Sequence, residues 1–210
     1  MNCSRRALLN VGLACSGLAN IGCVFPRRFV HHVGGQLGCH RALTVNNLVK
    51  SGPAITAVRA TLDVVMDAID DESAKLFGGV GVFKNHVSDL LRNDLLAVAE
   101  FESQIAAITG TGCTNIEVAT AAIVVNVHGA FFNNAFNVRE AVGGSLECQV
   151  RVLLHELGHS LDVLVPDAFS RALSRQNDDL IDGTCKGLIR RALRHKTVSR
   201  ISDAKKPRPR

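Results

Sequence analysis

The sequence predicts an α+β domain that is mainly helical and carries one small sheet. Apolar residues recur at helical spacing from Pro53 and again over 82–108, and a later stretch, 146–164, is apolar around most of a helix. Between them, residues 116–136 are rich in Val, Ile and Phe with a break at Gly129, which is typical of strand, turn and strand. A chain of 210 residues with 47% hydrophobic residues can bury one such core.

The first residues have the layout of an export signal. Arg5 and Arg6 precede an uncharged stretch, 7–25, that is rich in Leu, Ala and Gly. The paired arginines resemble the twin-arginine export motif of bacteria. We therefore expect residues 1–23 to be an export signal and the protein to be periplasmic or extracellular. A retained membrane-spanning helix is the alternative, which Asn10 and several glycines disfavour.

The cysteines add two expectations. Cys23 ends the segment NIGC, which is similar to a bacterial lipoprotein box except that Asn20 stands where Leu is usual. A lipid anchor at Cys23 is therefore an alternative to a simple cut, and an exported protein would attach to a membrane only through that anchor. The cysteines outside the signal are an even number in a compartment where disulfides survive, which favours disulfide bonds. They are Cys39, Cys113, Cys148 and Cys185.

The other elements follow in chain order. Residues 24–52 contain scattered glycines and are expected to form a loosely structured lead-in. The next helix has a proline in its first turn, and residues 82–108 are predicted to form one long or two shorter helices that stop at the TGTG run. A last helix is predicted over about Asn177–Arg194, which gives a domain over 53–195 and a basic disordered tail over 196–210.

The charge of the chain does not argue for nucleic acid. The formal net charge is +5, but the Lys and Arg residues are concentrated at the two ends, and the middle of the chain is close to neutral. We therefore expect no nucleic-acid partner.

Chemically active residues are concentrated in LLHELGHSLDVLVPD, residues 153–167. His155 and His159 are four residues apart, so on a helix their imidazoles project from one face and can converge on one tetrahedral ion. Glu156 lies beside the first imidazole, from where its carboxylate could take a proton from a water on that ion. The alternative is a core helix with two hydrogen-bonded histidines, which would be costly without a compensating partner.

This stretch resembles the HExxH zinc metallopeptidases, the zincin superfamily, since its flanking positions are also uncharged and mostly apolar. The segments VVNVHGAFFNN and LSRQNDDLIDGTCKGLI are similar to uncharacterised exported bacterial HExxH proteins and to metallopeptidase-like toxin domains, over about residues 72–190. The resemblance implies a zincin-like fold, bound Zn2+, and an edge strand that borders the active-site cleft and pairs with a peptide substrate. Of Phe131 and Phe132, neighbours on a predicted strand, one should be buried and the other could face the cleft.

We predict Asp167 as the third metal ligand. No Glu follows Glu156, so a downstream glutamate cannot be the third ligand. The metzincin pattern fits poorly, because it needs a third histidine where the chain has Val165 and a glycine where it has Asp162. Asp167 follows a proline that should end the helix and let the chain turn back beneath the metal. In the related bacterial proteins an Asp recurs at this offset after a Pro. Asp162 and Asp178 remain the alternatives.

Three function classes compete. The leading one is an exported zinc peptidase in which Glu156 activates a zinc-bound water against a peptide carbonyl of a peptide or protein substrate. Because the chain has no Tyr, zinc must supply most of the oxyanion stabilisation, with His128, Asn177 or a backbone NH as candidate helpers. The second class is a non-catalytic, zinc-stabilised extracytoplasmic binding domain. The third, a basic protein that associates with anionic surfaces, has only the basic run 190–210 in its favour.

Replacing both Arg5 and Arg6 by Lys should block export, because a twin-arginine receptor reads the paired guanidinium groups. Cell fractionation of the double variant and the parent measures this. Normal secretion of the double variant would instead indicate the general secretory route.

Overall fold

The described part of the chain contains five α-helices, one 3-10 helix (Lys75–Phe77) and five short strands. The helices are α1 (Pro53–Ala68), α2 (Asp71–Ala74), α3 (Val80–Arg92), α4 (Leu146–Ser160) and α5 (Arg171–Ala204). The strands are β1 (Leu96–Ala99), β2 (Ala107–Thr109), β3 (Ile123–Asn126), β4 (Asn137–Val138) and β5 (Ala141–Val142). The predicted α+β class and its mainly helical content are confirmed, but the structure has two small sheets where one was predicted.

The structure is a computed structural model that describes residues 48–100, 106–109, 121–167 and 170–204. The predicted export signal, the alternative lipid attachment predicted at Cys23, and nearly all of the predicted lead-in lie outside the described residues. Within the part that is described, no helix is both long and apolar enough to cross a membrane.

The first three strands form one mixed sheet in the order β1-β3-β2. β1 runs parallel to β3, with Leu96 opposite Ile123, and β2 runs antiparallel to β3, with Ala107 opposite Val125. Every residue of β1 and β3 is buried, and β2 lies beside α4. β4 and β5 form a separate antiparallel hairpin.

The core lies where α1, α4 and α5 pack against one another. α1 begins at Pro53 as predicted, and its buried residues Ile55, Val58, Leu62 and Val65 recur at helical spacing. α4 is buried over most of its circumference, also as predicted. The helical periodicity of these two segments therefore identified the faces that form the core.

The prediction of helix over 82–108 is correct only for its first part. α3 ends at Arg92, and Asp94 takes a left-handed conformation with φ 51°. The Asp94 carboxylate accepts a hydrogen bond from Arg59 at 2.6 Å, and its carbonyl accepts one from Lys50 at 2.6 Å. These contacts come from distant parts of the chain and stop the helix, so the following residues form β1 and β2 instead.

Residues 116–120 of the predicted strand, turn and strand lie outside the described residues, and the described remainder, 121–136, contains one strand, β3. After β3 the chain forms turns, because the Asn126 side chain accepts a hydrogen bond from the amide two residues later at 3.0 Å, and that of Asn133 does the same at 2.9 Å. Phe131 is fully buried and Phe132 partly buried, so one phenylalanine is in the core as predicted, but neither lies on a strand.

α5 is longer than predicted, since it begins at Arg171 rather than Asn177 and continues to Ala204 rather than ending near Arg194. The predicted disordered tail thus starts inside this helix, and residues 205–210 lie outside the described residues.

Disulfide bonds do not form at the two cysteines that the structure describes. Cys148 and Cys185 are free and fully buried. The Cys148 thiol donates to the carbonyl of Ala130 at 3.3 Å, and burial raises the pKa of the Cys185 thiol to about 12. Both therefore behave as small core residues, so the disulfide expectation is wrong for this pair. Cys39 and Cys113 lie outside the described residues.

Gly158→Ala should lower the free energy of unfolding by about 1–3 kcal/mol, although alanine is the better helix former. A Cβ on Gly158 would lie 2.6 Å from Cγ and Cδ1 of the buried Leu164 side chain. Gly183→Ala in α5 is the matched control, because its Cβ would meet no atom within 4 Å. The control should gain about 0.5–1 kcal/mol. Denaturant unfolding measures both, and equal effects would show that Leu164 does not restrict Gly158.

Candidate metal centre

The start of α4 is held by side-chain hydrogen bonds. Ser145 caps the helix by accepting from the amide of Cys148 at 3.2 Å. Gln149 in the first turn donates to the carbonyls of Phe131 at 3.2 Å and Gly144 at 3.4 Å. These bonds anchor α4 to the turns that precede it, and so they fix the direction in which the later residues of the helix point.

The end of α4 reverses the chain immediately after the second histidine. Asp162 has φ 57°, its amide donates to His159 O at 3.0 Å, and the amide of Val163 donates to Gly158 O at 2.9 Å. This pattern is a Schellman motif with aspartate in the left-handed position that glycine usually takes. The expectation that the proline at 166 ends the helix is therefore wrong, because the helix ends at Ser160, before that proline.

Three predicted ligands converge at this reversal. Nε2 of His155 lies 2.9 Å from Nε2 of His159 and 3.0 Å from Oδ2 of Asp167. Nε2 of His159 lies 3.5 Å from Oδ1 of Asp167. Among the described residues this is the one group of three or more His, Cys, Asp or Glu side chains with the spacing of a metal site.

The spacing suits a small divalent ion. For metal bonds of about 2.0–2.1 Å, the ligand atoms of a tetrahedral site are about 3.3 Å apart. The separations of 2.9 and 3.0 Å, from Nε2 of His155 to Nε2 of His159 and to Oδ2 of Asp167, lie near that value. The separation of 3.5 Å from Nε2 of His159 is to the other carboxylate oxygen, Oδ1, of Asp167. Two imidazole nitrogens and one carboxylate oxygen are also donors that zinc accepts, and they leave the fourth position to another ligand. The residues present therefore fit such an ion.

Two consecutive residues of α5 contact the ligands from outside. Oδ1 of Asp178 lies 2.8 Å from Nδ1 of His155, on the side of the ring opposite Nε2. Nδ2 of Asn177 donates to a carboxylate oxygen of Asp167 and to the carbonyl of Val165, the latter at 2.7 Å. Asp178, an alternative ligand in the sequence, is thus placed behind a ligand rather than among them.

The electrostatics of the cluster are strongly coupled. Burial disfavours a charge on His155, but the adjacent carboxylates of Asp167 and Asp178 outweigh it and raise the pKa of this imidazole to about 10. Burial likewise opposes a charge on Asp167, yet hydrogen bonds from both imidazoles lower the pKa of its carboxyl well below the usual range. At neutral pH the cluster therefore holds a proton that a metal ion would have to displace.

The other candidate residues have different positions. Glu156 is 7% exposed on α4, and its charge contributes to the raised pKa of His155. Asp162 is exposed and outside the cluster. His128 is largely exposed and lies 3.6 Å from the carboxylate of Glu100, and the Asn177 amide is occupied by Asp167 and Val165.

Sequence reasoning missed the contacts that Asn177 and Asp178 make. Both residues stand in the segment LSRQNDDLIDGTCKGLI, which resembles exported bacterial HExxH proteins. The sequence suggests Asn177 as an oxyanion helper and Asp178 as an alternative ligand, not as residues that hold the ligands. Their spacing from the histidines carries no recognisable motif, because the contacts depend on how α5 packs against α4.

A cavity of about 620 Å³ lies beside the early turns of α4 rather than at the cluster. Its walls come from the β4–β5 hairpin, α4 and α5, and most of its lining residues are charged. None of the four predicted site residues lines it. The cavity therefore cannot stand for the predicted active-site cleft.

Comparisons of the chain with protein-family models, with curated proteins and with solved structures found no match.

Asp167→Ala should weaken Zn2+ binding by at least about 100-fold, since it removes one of three protein ligands. Asp162→Gly is the control: it changes the other aspartate of the same segment and suits the left-handed backbone, so it should bind like the parent. Competition with a chelator of known affinity measures both. Parental affinity in Asp167→Ala would rule this residue out as a ligand.

Proposed function

We propose that the chain is an exported, zinc-dependent peptidase of the zincin type. The observation that carries the proposal is the convergence of His155, His159 and Asp167 at ligand spacing, with Glu156 next to the first ligand on the same buried helix. A bound zinc ion would polarise a peptide carbonyl and make a water more acidic. The three ligands would leave one position open toward that water and the substrate.

Glu156 is the residue that we expect to move protons. Its carboxylate would take the proton of the attacking water and deliver it to the amine nitrogen that leaves when the C–N bond breaks. Glu156 lies beside His155, and its charge helps to raise the pKa of that imidazole, which supports a role next to the ligands. Burial of the carboxylate, which is 7% exposed, limits competition from bulk water.

Two features of the fold support the zincin assignment. β2 is an edge of the three-stranded sheet among the described strands and lies beside α4, as expected for a strand that pairs with an extended substrate. Asp162 stands where the metzincin pattern has glycine, and its φ of 57° is the conformation that glycine adopts most easily. The chain could therefore reverse at this position in the same way with the aspartate found here or with the glycine of the metzincin pattern.

A second candidate function is a non-catalytic binding domain that zinc stabilises. The cluster links the end of α4, the following segment and, through Asp178, α5. A metal that joins three elements in this way could act purely as a structural clamp. This candidate also requires zinc, but it assigns no chemical role to Glu156.

Glu156→Gln should keep the zinc stoichiometry of the parent and reduce hydrolysis by at least about 100-fold, because the amide cannot accept the proton. The matched control is Glu147→Gln, the same change earlier on α4, where the side chain forms a partly buried ion pair with Arg151. Metal analysis gives the stoichiometry, and mass spectrometry of a proteome-derived peptide mixture gives the cleavage.

Loss of zinc from Glu156→Gln would contradict the division of roles between this residue and the ligands. A parent protein that holds zinc and cleaves no peptide would favour the binding domain instead.

A further inference from the structure

The segment that carries Asp167 depends on α5 for its position. Residues 161–167 contain no helix or strand. Their first part is tied to α4 by the amides of Val163 and Leu164, which both donate to Gly158 O. Beyond Leu164, the side chain of Asn177 holds the segment at two points, the carbonyl of Val165 and the carboxylate of Asp167.

Asn177 is well suited to hold a carboxylate in one orientation. Its side chain is 2% exposed, so water cannot readily replace its hydrogen bonds. Both contacts use the amide nitrogen, which carries two hydrogens, and each hydrogen can serve one acceptor. Asn177 thereby fixes Oδ1 of Asp167, which lies 3.5 Å from Nε2 of His159, while Oδ2 lies 3.0 Å from Nε2 of His155.

Asp178 orients the other side of the site. An N–H on Nδ1 of His155 can donate to Oδ1 of Asp178 at 2.8 Å, so Nε2 is the nitrogen that gives up its proton when an ion binds. That nitrogen is the atom that faces His159 and Asp167. Neighbouring positions on a helix point about 100° apart, so consecutive residues of α5 can reach two different elements.

We infer that Asn177 and Asp178 are positioning residues that preset two of the three metal ligands before the ion binds, so that α5 completes the site without supplying a ligand. This inference rests on the proposed metal site, but not on hydrolysis. It assigns to Asn177 the orientation of the Asp167 carboxylate, and to Asp178 the ring orientation of His155 and the choice of Nε2 as its metal-binding nitrogen.

The same helix pair offers an internal control. One turn after Asp178, Asp182 forms an ion pair with Arg151, which is one turn before His155. The two contacts join the same helices at neighbouring levels, and the carboxylates of Asp178 and Asp182 are 21% and 33% exposed. If Asp178 only attached α5 to α4, its loss would resemble the loss of Asp182.

The test compares Asp178→Ala, Asp182→Ala and Asn177→Ala in the full chain. Zn2+ affinity should fall about 10- to 100-fold in the Asp178 and Asn177 variants and stay within about threefold of the parent in the Asp182 variant. Asp178→Asn, which keeps an oxygen that can accept from Nδ1, should recover part of the loss. The visible spectrum of the Co2+-loaded proteins, which reports ligand geometry, should change in the Asp178 and Asn177 variants alone.

Thermal unfolding of each chelator-treated variant separates a folding defect from a binding defect. If Asp178→Ala does not fold, Asp178→Asn and Asp182→Asn make the same comparison. Equal Zn2+ affinities for the Asp178 and Asp182 variants, or a parent that binds neither ion, would overturn the inference. If the variants differ in Zn2+ affinity as expected but the parent cleaves no peptide, the inference stands and the peptidase function is refuted.

Discussion

The central constraint in this structure is that α4, a largely buried helix, carries two of the three side chains of the ionisable cluster. α4 packs between α1, α5 and the small sheet, yet it presents two imidazoles and the carboxylate of Glu156. Ionisable groups in such a place need partners. The chain after α4 provides them, because it reverses at Asp162, brings Asp167 back to the imidazoles, and returns as α5 with Asp178 behind His155.

The ligand arrangement follows from packing and hydrogen bonds on several sides of α4. The turns after β3 fix the start of the helix through Gln149, Leu164 packs against Gly158 near its end, and α5 lies antiparallel along one face. Each contact is ordinary by itself. Together they hold the ring nitrogens of the two histidines and the carboxylate of Asp167 close to one another before any ion binds. A metal site requires such preorganised ligands.

The sequence predicted the elements whose pattern is local. α1 and α4 have helical periodicity, and each has a recognisable start, Pro53 in one and Ser145 in the other. It failed where a pattern is ambiguous or is overridden by distant residues. β1 is buried on both faces, so its sequence does not alternate between apolar and polar residues and resembles a continued helix. Only the structure shows that Arg59 and Lys50 hold Asp94 in a left-handed turn before this strand.

By itself the sequence determined that His155 and His159 would share a face, because spacing of four residues on a helix leaves no other outcome. It also reduced the third ligand to a few aspartates, since no glutamate follows Glu156. Tertiary structure alone decided among them. The left-handed cap at Asp162 turns that side chain away and returns Asp167, and the packing of α5 on α4 directs Asp178 to Nδ1 of His155. Which aspartate enters the cluster depends on how the segment after α4 packs against α5, and no local sequence pattern specifies that packing.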